Sequence, residues 1–150
     1  MDHKIVFWGL TALCGGYALL RGGAPERIGA AIIILGSALT VALGSAWAHR
    51  FEHVETGIVA VDVAVLLGFV LLAVFSDRFW PLWVSALQAI GVLTHLARAL
   101  EPNLMPWAYG VALAMGVYPM LLLVALGTWR HRKRMATGAA DPSWSRSSAR

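Results

Sequence analysis

An ionisable residue inside an apolar stretch is the feature of this sequence best able to do chemistry. Asp62 is one: it is the only charged residue in the run Thr56–Phe75. An ionised carboxylate in hydrocarbon is costly, so it must face protein or water, or carry a proton. Partners stand in the following apolar run. Gln88, Gly91, His95 and Arg98 fall within an arc of about 80° on a helix, counting about 100° per residue. Asp62 lies seven residues from Glu55, which is about 10 Å of helix, and His95 lies six from Glu101, about 9 Å. If the two runs are antiparallel neighbours, Asp62 and His95 sit at similar depth. A contact of Asp62 with His95 or Arg98 is therefore expected. Two uses follow from it: a polar clamp that fixes helix register, or a relay for protons or ions. Arg98, about one turn from the run's end, also has the option of reaching out to the interface.

A second candidate is His49-Arg50-Phe51-Glu52-His53. It matches the H-x-x-E-H string of inverted zinc peptidases, and its two His stand at i and i+4, a spacing that puts both on one helix face for a metal. That chemistry needs a continuous helix, a third ligand and a cleft. This stretch must instead turn between two apolar runs, so His49, Glu52 and His53 read first as a polar interfacial loop that titrates near neutral pH. If a metal binds, Glu55, Asp62 or His95 is the natural third ligand; a haem would lie between His95 and His49 or His53. A third candidate is the basic run Arg130, Arg132, Lys133, Arg134. It reads as a topology determinant, with docking to anionic lipid as its other use. The sequence has no phosphate-binding Gly-rich loop, no Gly-x-Ser-x-Gly elbow and no pair of carboxylates within one apolar run. The expectation is a protein that is not an enzyme and holds no cofactor.

The elements that must position these residues are long and oily. Of 150 residues, 59% are hydrophobic and 13% charged, against about 25% charged in soluble domains. Apolar runs near the length needed to cross about 30 Å of hydrocarbon recur along the chain. They do not alternate as barrel strands would. The spacing predicts an all-α, polytopic transmembrane bundle of about five spans: 5–20, 28–48, 56–75, 79–100 and 104–129. The bundle domain covers 1–134. The remainder, 135–150, holds Gly, Ala, Ser, Pro and Arg and reads as a disordered polar tail.

Two signals bear on this plan. Trp8, Trp47, Trp80, Trp83, Trp107 and Trp129 stand near proposed span ends, where indoles settle at headgroups. An odd number of spans puts the termini on opposite sides. With the C-terminus inside, nine Lys and Arg face inward (Arg21, Arg27, Arg78 and six after Trp129) and three outward (Lys4, Arg50, Arg98). The positive-inside rule then gives N-terminus out and C-terminus in. Gly36, Thr40 and Gly44 form a small-residue stripe, as do Gly110 and Ala114, and Gly9 and Gly16 stand seven apart. Such seams pack helices within one chain or between copies. Pro119 is expected to kink its span near Met115. The lone Cys14 excludes an intramolecular disulfide. The reading is a small multi-pass protein of the cell inner membrane: an accessory or structural subunit of a larger complex, touching lipid and other membrane proteins or itself, and no nucleic acid. The alternatives are a proton- or ion-coupled transporter using Asp62, His95 and Arg98, and a haem- or metal-binding redox anchor.

Overall fold

The computed structural model describes residues 3–43, 56–101, 105–138 and 141–144. Among them it is all helical, with no strand beyond an isolated bridge between Ser76 and Trp144. The first rod is α1 (His3–Leu10), a π-helical turn over Thr11–Gly15 and α2 (Gly16–Arg21). Its three parts follow without a gap, and Leu10, Gly15 and Gly16 all keep right-handed helical angles. Then come α3 (Ala24–Leu43), α4 (Thr56–Phe75), α5 (Trp80–Leu100) and α6 (Pro106–Ala136). Proline opens helices here as its missing N–H allows: Pro25 is the second residue of α3 and Pro81 the second of α5. α6 continues through Pro119 and through the basic run, seven residues past the expected end at Trp129.

Three of these helices are long and apolar enough to cross a membrane: Ala24–Leu43, Thr56–Phe75 and the Gly110–Ala136 part of α6. Ile5–Arg21 is a shorter apolar helix. α5 is as long as α3 but carries Gln88, His95 and Arg98, and is not one of the three. The outward faces are oily: Leu35, Leu39, Leu67, Leu71, Ile90 and Leu122 are all at least half exposed. This is the surface of a helical bundle compatible with a membrane, where exposed apolar groups meet lipid tails rather than water.

Consecutive helices pack as antiparallel neighbours. Between α3 and α4, Leu43 approaches Gly57, Val65 approaches Gly36 and Ile32 approaches Gly68, so one register falls as the other rises. α5 packs on α4 and on α6, and the first rod touches both α3 and α6. The core is Cys14, Ala18, Ala30, Ile33, Phe69, Leu72, Trp80, Val84, Met120, Leu121 and Val124. Close approach at small residues holds it together. A Cβ on Gly36 would come within 2.6 Å of Val65, so this part of the stripe packs inside the chain. Gly9, Gly16 and Gly116 have no such neighbour within 4 Å.

The tightest joint was not legible as such in the sequence. The Trp80 indole is wedged between α3 and α6: a Cβ on Gly29 would meet it at 2.4 Å, and one on Gly127 at 2.6 Å. Its ring also meets Phe69 edge-on, with centroids 6.4 Å apart. Trp80 is 7% exposed, so it is a core wedge and not the headgroup anchor its position near a span end suggests. Trp83 and Trp129 remain exposed.

Candidate functional site

Two polar clusters occupy opposite ends of the bundle. The first joins α4 to α5. A helical turn places Asp62 on the face of α4 that meets α5, and Gln88 and His95, seven residues apart, line the opposing face. His95 Nε2 lies 2.7 Å from Asp62 Oδ2. With Asp62 ionised, His95 donates to it. Gln88 Nε2 donates to Asp62 Oδ1 at 3.2 Å and to the Asp62 carbonyl at 3.1 Å. The structure therefore brings Asp62, Gln88 and His95 together. Gln88, His95 and Arg98 are all buried, while the Asp62 side chain is 22% exposed. Arg98, at 5% exposure, does not reach out to the surface as a long side chain near a helix end often does.

His49, Glu52, His53 and Glu55 are outside the described residues. Among the described residues, no group of three or more His, Cys, Asp or Glu is placed to hold a metal ion.

The second cluster is larger, and the sequence reading did not single it out. Glu26, in the first turn of α3, has a fully buried side chain. A carboxylate near a helix N-terminus meets a favourable dipole, but burial demands more, and direct donors supply it. Arg78, from the turn between α4 and α5, donates through Nε to Glu26 Oε1 at 3.1 Å. Trp80 Nε1 donates to the same oxygen at 3.2 Å. Glu26 Oε2 is buried with no hydrogen-bond partner among the described residues; it faces Gly23, where a Cβ would lie 2.9 Å from it and 3.0 Å from the His131 ring.

The other edge of Arg78 holds Asp141. Its two terminal nitrogens donate to Oδ1 and Oδ2, each at 2.8 Å, in a bidentate fork. Arg134 Nε donates to Oδ1 at 2.5 Å, and His131 Nδ1 pairs with Oδ2. Burial pushes the Asp141 carboxyl up, but His131, Arg78 and Arg134 together hold it below the usual carboxylate range. Asp77 N–H donates to the Ser143 carbonyl at 3.3 Å. Residues 141–144 therefore pack on this end of the bundle, with one buried carboxylate as the anchor. Residues 145–150 lie outside the described set.

Of the basic run, Arg134 joins this cluster. Lys133 Nζ stands 5.5 Å from the centre of the Trp129 ring, in cation–π range, and Arg130 and Arg132 are exposed. One signal could have exposed the Glu26–Arg78 pair. The depth argument that pairs Asp62 with His95 also puts Glu26 and Arg78 at one end, each beside the start of a span. Asp141 had no comparable signal, standing 12 residues past Trp129.

Chemically, each cluster can hold helices in register, and each contains groups able to carry a proton. No known family model, curated protein or solved structure matches this chain.

Proposed function

We propose that this chain is a small multi-pass membrane protein without catalytic activity of its own, serving as an accessory or structural subunit of an inner-membrane complex. Its N-terminus lies outside and its C-terminus inside, in keeping with the excess of Arg and Lys at the end that holds Arg21, Arg27, Arg78 and Arg134. The observation that carries this reading is the pairing of ionisable and amide side chains across helices. Asp62 is bonded by Gln88 and His95, and Arg78 is bonded to Glu26 and Asp141. Groups committed in this way fix helix register. The apolar outer faces, with Gly9, Gly16 and Gly116 open, offer close approach to lipid or to another membrane helix. Affinity purification in mild detergent tests it. One stoichiometric membrane partner is the expected result, and a chain that always runs alone contradicts it.

A second reading rests on the Asp62–His95 pair: two ionisable side chains 2.7 Å apart between apolar helices, with His95 buried and Asp62 partly open. In that reading the pair passes a proton, and the chain is a small proton- or ion-coupled transporter. Reconstitution separates the two. Loss of vesicle proton flux in Asp62→Asn supports the relay, and flux equal to that of empty vesicles in the wild type removes it.

A further inference from the structure

The C-terminal cluster has the build of an anion site whose occupant is part of the same chain. Four N–H groups from two elements converge on one carboxylate: both terminal nitrogens of Arg78, Nε of Arg134 and Nδ1 of His131. The body of the bundle supplies every donor, and the anion comes from beyond the last helix. Glu26 takes only the Nε edge of Arg78. The terminal edge faces Asp141, apart from a 3.4 Å contact of one nitrogen with the Asp77 carbonyl. The Arg78 side chain is 5% exposed. A guanidinium so buried needs an anion against that edge. Among the described residues, the segment that delivers Asp141 is otherwise tied to the turn by the Asp77–Ser143 hydrogen bond, part of the bridge between Ser76 and Trp144.

We propose that Arg78, His131 and Arg134 form a binding site for a phosphate group, which Asp141 fills as an internal and displaceable carboxylate. A planar guanidinium receives phosphate by the same two-bond fork that it offers a carboxylate. A phosphate brings a third oxygen for His131 or Arg134. The site stands at the end of an apolar helix, beside Arg130, Arg132 and Lys133. Lipid headgroup phosphate lies at that level if α6 crosses a bilayer, and free phosphate is the other source of the same chemistry. Only the lipid source rests on the membrane reading.

The test uses full-length protein in detergent, with inorganic phosphate and short-chain phosphatidic acid as probes and phosphatidylcholine as the control. Asp141→Asn should bind one or both probes about tenfold more tightly than the wild type, since a freed charge-assisted bond is worth roughly that factor. The double variant Asp141→Asn/Arg134→Gln should lose that gain. Whichever probe binds better identifies the source. Failure of both probes to bind Asp141→Asn, or equal affinity in the double variant, overturns the site. A second measurement does not depend on the folding of Asp141→Asn. A spin label on Pro142→Cys, in a Cys14→Ala chain, should become more mobile on saturation with phosphate or phosphatidic acid and not with phosphatidylcholine. An unchanged spectrum with both probes overturns displacement. Phosphate binding by a chain that proves not to be membrane-embedded would sustain this site while removing the proposed function.

Discussion

The two polar clusters differ in what they connect. Asp62, Gln88 and His95 tie two neighbouring helices, α4 and α5, toward one end of the bundle. Glu26, Arg78, Trp80, His131, Arg134 and Asp141 tie the start of α3, the α4–α5 turn, the end of α6 and the segment after it. The first is a local clamp between helices that adjacency would pair anyway. The second spans 115 positions from Glu26 to Asp141 and closes one end of the bundle. The comparison teaches that paired charge matters most where it joins elements that the chain order does not already hold together.

That contrast can be broken experimentally. The largest effect is expected from Arg78→Ala, which leaves the buried Glu26 carboxylate with the Trp80 N–H alone and takes the two-bond fork from Asp141. Removing one partner of a buried ion pair costs about 3–5 kcal/mol, so thermal unfolding in detergent should shift far more than for any change at the α4–α5 clamp. Next is Gly127→Val. Its Cβ would lie 2.6 Å from the Trp80 ring, and overpacking of this kind costs about 1–3 kcal/mol, whereas Gly116→Val, in open space, should be close to neutral in the same assay. Smaller again is the coupling between Asp62 and Gln88. A double-mutant cycle with Asp62→Ala and Gln88→Leu should give about 0.6 kcal/mol, the average for hydrogen bonds between membrane helices. A coupling as large as the Arg78 effect would reverse the ranking of the two clusters.

The smallest effect is a pH dependence confined to the C-terminal cluster. The folded state depresses the Asp141 pKa, so its stabilisation is complete above the unfolded carboxylate value near 3.8 and is lost as pH falls through the lower folded value. Glu26, Arg78, His131 and Arg134 face the same cluster, so the readout is a difference. Wild type minus Asp141→Asn stability should shrink as pH falls below about pH 4. A difference that grows as pH falls below about pH 4 would contradict the sign.

The helices were legible because length and oiliness set them locally. Thr56–Phe75 is a helix over the residues that the apolar run marks out, since every backbone group must bond within its own segment in lipid. The meeting of Asp62 with His95 was legible for a related reason: two helices joined by a tight turn share a depth scale, so counting residues from each end aligns them. Trp80 was misplaced because an indole near a span end has two homes, the headgroup layer and the core. Only Gly29 and Gly127, distant in sequence, decide between them. Asp141 was invisible because its anchor is a convergence of donors from residues 78, 131 and 134. Nothing in a polar stretch of Gly, Ala, Ser and Pro marks one carboxylate as buried.

All of this rests on apolar helices surrounded by lipid, and alkaline carbonate extraction of membranes from expressing cells tests that most directly. The account predicts that the chain stays in the membrane pellet and leaves it only with detergent. Recovery of the folded chain in the carbonate supernatant, or from salt buffer alone, would contradict it.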